Sequence, residues 1–164
     1  MSDVVRLAST ADQLTLERLW LMFRHDLSGF QETLPGRDGS FRDDWLRSAF
    51  ADAGWAPYLL MSGDRPAGLA LVRGVGGPTR VLNSFFVVRG ARRRGIGLQA
   101  VREIVAKHPG RWEVAFQDAN LAAVRFWRRV AGEVAGEEWT EERRAVPRRP
   151  DLPPDTWISF STLA

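Results

Sequence analysis

The stretch "VVRGARRRGIGLQA", residues 87–100, places four arginines and three glycines between an apolar run and a helical pattern. Gly95 and Gly97 stand where a predicted strand ends and a predicted helix begins, and glycine permits a tight turn and a close approach to the main chain. The first amides of a helix have no internal acceptor and carry the positive end of its dipole. The stretch therefore predicts a binding site for a diphosphate group.

Other functions fit the same stretch less well. A plain turn between strand and helix stays open on these residues alone. A nucleotide-binding loop is excluded because neither lysine nor serine or threonine follows Gly97, and a dinucleotide fingerprint fails because only two of its three glycines can be placed. Four clustered arginines would suit nucleic acid, but no predicted helix combines a basic face with exposed aromatic residues, and the net charge is only +3. We therefore expect no nucleic-acid partner.

Length and composition are those of an ordinary globular protein. The chain has 164 residues, of which 45% are hydrophobic and 26% are charged. This predicts one domain over residues 1–164. No apolar run approaches the roughly 18 residues of a membrane span, and no signal segment begins at Met1. We expect a cytoplasmic protein with no membrane partner.

Metal and disulfide chemistry find little support in the sequence. The chain has no cysteine, and its two histidines, His25 and His108, are far apart. Disulfides and thiolate metal sites are thereby excluded, and we expect no metal. The pI of 10.4 arises from arginine, since Lys107 is the only lysine. A small excess of arginine raises the pI without creating a strong field.

Hydrophobic periodicity divides the chain into alternating strands and helices. Strands are predicted at 4–9, 80–88, 111–118, 133–142 and 156–162, with a hairpin over 56–77. Helices are predicted at 10–27, with Thr10 or Asp12 as cap, and at 41–54, 96–110 and 120–132. Segments 28–40 and 143–154 are predicted loops, the second of them proline-rich. The alternation in the second half predicts a mixed α/β sheet.

Two motifs resemble those of the GCN5-related N-acetyltransferases. The hexapeptide "RRRGIG", Arg92–Gly97, is similar to their Gln/Arg-x-x-Gly-x-Gly/Ala signature, and it follows the strand "SFFVV" and opens the helix "GLQAVREIV". Farther on, "NLAAVRFWRR" is similar to the second signature, Asn-x-x-Ala-x-x-Phe-Tyr. The matching residues are Asn120, Ala123 and Phe126, and Trp127 stands where tyrosine is usual. The chain also resembles a bacterial subgroup of predicted acetyltransferases.

The resemblance implies a fold and a co-substrate. The fold is an α/β (α+β) arrangement: a mixed, mostly antiparallel sheet of six or seven strands flanked by about four helices. Two central parallel strands, around Phe85–Val88 and Arg111–Phe116, would separate into a V-shaped gap. The co-substrate is acetyl-coenzyme A, whose pyrophosphate would rest on the amides of Arg93–Leu98. Its pantetheine arm would pair with Phe86, Val87 and Val88, and one of those amides would polarise the thioester carbonyl.

The implied coenzyme site extends over the loop and two helices. Arg92, Arg93 and Arg94 would neutralise phosphate charge, and Arg129 is a candidate for the outer phosphate. The full set of predicted contacts is Phe86, Val87, Val88, Arg92, Arg93, Arg94, Gly95, Ile96, Gly97, Leu98, Asn120, Phe126, Trp127 and Arg129.

The catalytic groups are less defined. Relatives often use a carboxylate on the strand before the loop, where this chain has Asn83 and Ser84. Ser84 could position a water, and Glu32 could reach the cleft from the substrate side. Asp26 and His25 are weaker candidates for the base.

The departure at Trp127 bears on the leaving group. In the family a tyrosine hydroxyl donates a proton to the departing thiolate, whereas an indole N–H donates a hydrogen bond but is no useful acid. We therefore expect a slow enzyme, or one that uses water, acting on a small-molecule or protein amine. A catalytically weak acyl-coenzyme A-binding module is the alternative, and a homodimer stays open.

Overall fold

A computed structural model describes residues 2–162 of the chain. Seven strands and four α-helices follow one another over these residues, with single turns of 3-10 helix at Thr10–Asp12 and Arg89–Ala91. Along the chain they are β1 (Val5–Leu7), α1 (Gln13–Gln31), α2 (Asp44–Ala51), β2 (Trp55–Ser62), β3 (Arg65–Arg73), β4 (Thr79–Val87), α3 (Ile96–Lys107), β5 (Gly110–Phe116), α4 (Leu121–Ala135), β6 (Trp139–Arg144) and β7 (Asp155–Thr162).

All seven strands join one sheet in the order β1-β2-β3-β4-β5-β7-β6. β4 and β5 are parallel, and the other neighbouring pairs are antiparallel. The predicted mixed, mostly antiparallel α/β sheet with four helices is confirmed. None of the helices over residues 2–162 is both long and apolar enough to cross a lipid bilayer.

Helices cover both faces of the sheet and create two apolar layers. One layer lies under α1 and α2, where Leu16 and Trp20 pack on Leu69 and Leu71. The other lies under α3 and α4 and includes the fully buried Trp112. Alternation along each strand assigns its side chains to the two layers in turn. The packing of these layers fixes the positions of the loops at the sheet edge.

Two helices, α1 and α4, extend past their predicted ends, whereas α2 and α3 are shorter than predicted. α1 continues through Gln31, into a segment predicted to be a loop, because Gly29 costs a helix only about 1 kcal/mol and no proline intervenes before Pro35. α4 continues to Ala135 and stops where Gly136 takes a positive φ of 62°. In both cases the helix ends where the backbone itself changes conformation.

Ser9 caps the 3-10 turn that precedes α1, whereas Asp12, one of the two predicted caps, stands at the N-cap position of α1 without a side-chain bond to that helix. The Ser9 hydroxyl accepts from the Ala11 N–H (3.3 Å), and the Asp12 carboxylate accepts from the Ser9 N–H (2.9 Å). This reciprocal arrangement is a capping box, which begins one residue earlier than the sequence pattern indicated.

An irregularity in β4 separates the two parallel strands. Leu71 of β3 pairs with Ser84 while Val72 pairs with Leu82, so Asn83 is an extra, bulged residue in β4. The pairing of β4 with β5 ends at the same level, with Leu82 opposite Val114. Because a bulge bends its strand, β4 leaves β5 beyond this point. The predicted V-shaped split is therefore present.

Candidate functional site

A cleft of about 690 Å³ opens where β4 and β5 separate. Its walls are the last turns of α1, the end of β4, the arginine-rich loop, the first turn of α3 and the start of α4. The predicted coenzyme contacts among its lining residues are Phe86, Val87, Arg92, Arg93, Gly95, Ile96, Gly97, Leu98, Asn120, Phe126, Trp127 and Arg129.

The main-chain groups of β4 alternate between its neighbour β3 and the cleft. The Val88 N–H donates to the Ala67 carbonyl (2.8 Å), so Val88, and Phe86 with it, points its backbone polar groups into the sheet. Phe85 and Val87 point theirs toward the split. An extended ligand would therefore pair with Phe85 and with the N–H of Val87, whose carbonyl already accepts from Arg92 Nε. The predicted contact to the Val88 amide is also taken.

The first turn of α3 presents free amides at the cleft. The Gln99 N–H donates to the Gly95 carbonyl (3.1 Å), which leaves the N–H groups of Ile96, Gly97 and Leu98 without a helical acceptor. Gly95 reaches this geometry with a φ of +77°. A Cβ on Gly97 would lie 3.1 Å from the Phe126 ring, so there is space for glycine at this position and little space for a larger residue. The turn forms a cradle for an anion.

The cleft is positively charged. Among the described residues, four arginines and one carboxylate line it: Arg89, Arg92, Arg93, Arg129 and Asp26. Arg94, the remaining arginine of the motif, lies outside this lining and contributes to a separate depression with Ser2 and Met61.

Arg92 is held in place by three contacts. Its Nε donates to the Val87 carbonyl (2.8 Å), and its Nη2 donates to Asp26 Oδ2 (2.5 Å). The guanidinium also lies 5.7 Å from the centre of the Phe86 ring. Arg89 donates to the other oxygen of Asp26 (3.1 Å). Together these bonds connect α1 to the loop that precedes α3.

The same ion pairs affect the acidity of Asp26. Burial alone would raise the pKa of its carboxyl group, but the bonds to Arg92 and Arg89 outweigh burial and lower it. A carboxylate with a lowered pKa and two cationic partners is a poor base. Asp26 therefore serves as a counterion in the cleft, and the structure gives it no role in removing a proton.

An aromatic cluster closes the inner end of the cleft. Phe85 stacks on Phe126 with ring centres 5.6 Å apart, and Trp127 meets both rings edge-on at 5.3 and 4.8 Å. Trp127 is buried, with 6% of its surface exposed, whereas Phe126 is half-buried. Asn120 begins α4 and accepts from the Ala123 N–H (3.1 Å), so it fixes the start of the helix that carries these rings.

The predicted catalytic candidates Ser84 and Glu32 do not line the cleft. Ser84 is buried and accepts from Asn83 Nδ2 (3.2 Å), and Asn83 in turn accepts from Arg73 Nε (2.9 Å). Glu32 is exposed and ends α1 with a left-handed φ of 52°. His25 is exposed and does not line the cleft. The roles proposed for these residues in catalysis rest on the sequence alone.

Phe85 and Arg89 are cleft residues that sequence reasoning missed. Both line the cleft, and Phe85 also presents its main chain to it. The signal for Phe85 was available in the period of two along β4, since Val87 was already a predicted contact. Nothing in the sequence paired Arg89 with Asp26, because the two residues are 63 positions apart.

These features fit a coenzyme that carries a diphosphate and an extended amide-containing arm. Free helix amides and arginines would hold the diphosphate, and the open edge of β4 would pair with the arm.

Comparison with known proteins bears directly on this site. The model of the acetyltransferase (GNAT) family matches residues 16–132, which include the whole cleft lining.

The chain belongs to the GNAT family. It is thus an acetyl-coenzyme A-dependent acetyltransferase, and the residues of the two resembling motifs meet in its cleft. A search among curated proteins finds no match.

Solved structures share the GNAT fold over nearly the whole chain. An acetyltransferase from Thermus thermophilus superposes with a TM-score of 0.68 at 19% identity, covering 98% of this chain and 99% of that one. An aminoglycoside acetyltransferase in complex with coenzyme A and kanamycin gives 0.66 at 17% identity, covering 98% and 95%. An N-acetyltransferase of a ribosomal-protein alanine from Escherichia coli gives 0.63 at 14%, covering 98% and 94%.

Proposed function

We propose that this protein transfers the acetyl group of acetyl-coenzyme A to a primary amine of a small molecule or a protein, by direct attack of the amine. The observation that carries the proposal is the juxtaposition of an open β4 edge, at Phe85 and Val87, with the free amides of Ile96–Leu98 in one cleft. The cleft therefore has both a strand edge that can pair with the amide-containing arm of the co-substrate and free amides that can bind its diphosphate.

The chain's own groups would supply binding and polarisation. The N–H groups of Ile96–Leu98 and the guanidinium groups of Arg93 and Arg129 hold the diphosphate. The outward N–H of Phe85 or Val87 donates to the thioester carbonyl oxygen and stabilises the negative charge that develops there. A C–N bond forms as the C–S bond breaks, and the departing thiolate takes up a proton.

Proton removal from the acceptor is the more demanding step. An alkyl ammonium has a pKa near ~10.4, so about one molecule in ~2,500 is neutral at pH 7, a cost of roughly 4.6 kcal/mol. The leaving thiol has a pKa near ~8.5 and departs with less assistance. A base at the acceptor side therefore matters more to the rate than an acid at the sulfur.

An amine acceptor agrees with two of the similar proteins. One is named for acetylation of an aminoglycoside and was solved with kanamycin, and the other is named for acetylation of an alanine in a ribosomal protein. Both names support an amine as the chemical class of the acceptor.

A panel of amines tests the proposal. The protein is incubated with acetyl-coenzyme A and small amines, polyamines, amino acids or peptides, and released thiol is measured. We expect turnover with at least one class and none with the same amines after N-methylation to the quaternary form. Binding of coenzyme A without turnover over the whole panel would instead support an acyl-coenzyme A-binding module, which the buried Trp127 at the position of the usual tyrosine favours.

A further inference from the structure

Over the described residues, α1 and α2 do not extend across β5, β7 and β6, so the α1-side surface of these three strands carries no packed helix. α1 and α2 pack on β2 and β3, whereas α4 packs on β5, β6 and β7 from the opposite side. Ile158 and Phe160 of β7 point into the layer below α4, so Asp155, Trp157 and Ser159 point to the uncovered face. This open face, which we define as the α1-side surface of β5, β7 and β6, begins at β5, one of the two strands of the split, and its residues lie outside the lining of the 690 Å³ cleft.

Three residues of the open face lie beside the end of β5. Ala115 is directly opposite Trp157, and Phe116 is opposite Thr156, so Asp155 lies just past the last paired residue of β5. β5 has left β4 by this level, because their last pair is Leu82 with Val114. Ala115, Trp157 and Asp155 are each half-buried. Ala115, whose side chain is a single methyl group, lies between the split and Trp157.

Asp155 differs from the other charged residues of the open face. Within residues 2–162, no hydrogen bond or ion pair reaches its carboxylate, and burial raises the pKa of the group. By contrast, Glu113 accepts from Arg144 (2.6 Å) and Ser159 (3.0 Å), and its pKa is lowered because these bonds outweigh its burial. A half-buried carboxylate without a cation is suited to receive one.

Arg144 lies directly opposite Asp155 in the register of β6 and β7, but over the described residues no ion pair joins the two side chains. On the same face, β6 contributes Glu142 and Arg144, and β5 contributes Arg111 and Glu113. The Arg144 guanidinium is engaged by Glu113 and Glu142 and lies 4.7 Å from the centre of the Trp157 ring. It therefore supports the indole from one side and has its charge balanced by two carboxylates.

We propose that Asp155 binds the ammonium group of the acceptor and removes its proton, with Ala115 and Trp157 forming the adjacent seat. The inference deepens the proposed function and rests on it. It specifies the acceptor as a cationic primary amine that enters from the open face of β5 and β7. The step transfers one proton from R–NH₃⁺ to the Asp155 carboxylate. The lone pair left on nitrogen forms the C–N bond as the C–S bond breaks, and the second proton lost from nitrogen passes to the departing thiolate.

Replacement of the carboxylate tests this assignment. In the Asp155→Asn variant we expect kcat/KM at pH 7 to fall roughly 100- to 10,000-fold, the usual loss on removal of a general base. The defect should shrink as the pH approaches the pKa of the amine itself, because the amine then loses its proton to solvent. Asp155→Glu should recover part of the rate. The matched control is Asp151→Asn, an exposed carboxylate paired with Arg149, which should keep the wild-type rate.

Two further measurements separate the possible failures. Coenzyme A affinity, from calorimetry, should be the same in wild type and Asp155→Asn, which shows that the variant is folded and its cleft intact. Titration of the carboxyl ¹³C signals in wild type, with Asp155→Asn for assignment, should give Asp155 a midpoint above that of exposed aspartates. A near-wild-type rate with an unchanged pH profile, or an ordinary midpoint, overturns the inference. If the wild type acetylates no amine, the proposed function fails, and the carboxyl titration still decides whether Asp155 is a poised base.

Discussion

Asp26 and Arg92 join α1 to the arginine-rich loop through a 2.5 Å bond that lies in the lining of the coenzyme cleft. The same guanidinium occupies the Val87 carbonyl, one of the outward groups at the open edge of β4. Arg92 thus has its charge and two of its donors committed inside the protein. A diphosphate bound in the cleft would compete with Asp26 for this cation, so we expect the ion pair to set part of the affinity for the coenzyme.

The first prediction concerns this ion pair. Asp26→Asn removes the one carboxylate found in the described lining of the cleft, so the positive potential there increases. We expect coenzyme A to bind about 3- to 10-fold more tightly in 50 mM salt, and the gain to decrease at 500 mM salt because of screening. Calorimetry at both salt concentrations measures it, with the exposed Asp38→Asn as control. An unchanged or weaker affinity for coenzyme A would show that Asp26 orients Arg92 and does not compete with the diphosphate for it.

Gly97 provides the second prediction. A Cβ at this position would lie 3.1 and 3.2 Å from two atoms of the Phe126 ring, and the larger Gly97→Val change would displace that ring into the cleft. We expect coenzyme A affinity to drop at least about 10-fold. Gly90→Val, whose Cβ would meet nothing within 4 Å, is the matched control and should bind as wild type does. Equal binding by both variants would contradict the position of the cradle.

Trp127 provides the third prediction. Trp127→Tyr would supply a hydroxyl at the position where the family usually has one, while the smaller ring would leave a gap beside Phe85 and cost about 1 kcal/mol of stability. We expect kcat to rise roughly tenfold, as an added general acid permits. Trp127→Phe, which has the smaller ring without a hydroxyl, separates the two effects. If both variants have the same kcat, protonation of the thiolate does not limit the rate.

The fourth prediction concerns stability and pH. The Tyr58 hydroxyl is hydrogen-bonded to His108 Nε2 (2.6 Å), and the pKa of His108 is lowered by burial, then by Arg80 and Lys107. In the unfolded chain the pKa of this histidine is near ~6.5, so below about pH 6.5 the unfolded chain binds more protons than the folded one. The free energy of unfolding therefore falls as the pH drops below about 6.5. Denaturant midpoints from pH 8 to 5 should decline less in His108→Gln than in wild type. His25→Gln, outside this contact, should follow the wild-type curve.

The sequence predicted the order of the elements, and it placed Gly95 and Gly97 at the turn between β4 and α3. Regular periodicity and the glycines at 95 and 97 are local features of the sequence. Such features predict the structure correctly when tertiary packing favours the same conformation. The arginines show the limit of such signals. Arg92, Arg93 and Arg94 are adjacent in sequence, yet the first binds Asp26, the second lines the cleft and the third faces a different depression.

The acceptor side could not be predicted from the sequence. Asp155 follows a proline-rich segment and has the sequence context of an ordinary surface residue. Its significance arises from long-range pairing of β7 with β5, which brings it level with the separation of β4 and β5. The bulge at Asn83 that causes this separation has no sequence signature of its own, because it depends on the register with β3.

The most direct test of the account is amide hydrogen exchange with and without coenzyme A. We expect the coenzyme to slow exchange at Phe85 and Val87 and at Ile96–Leu98, whose amides face the cleft. Exchange at Val88, already bonded to the Ala67 carbonyl, should not change. Protection confined to other segments, or none at concentrations that saturate the protein, would contradict the assignment of the cleft as the coenzyme site.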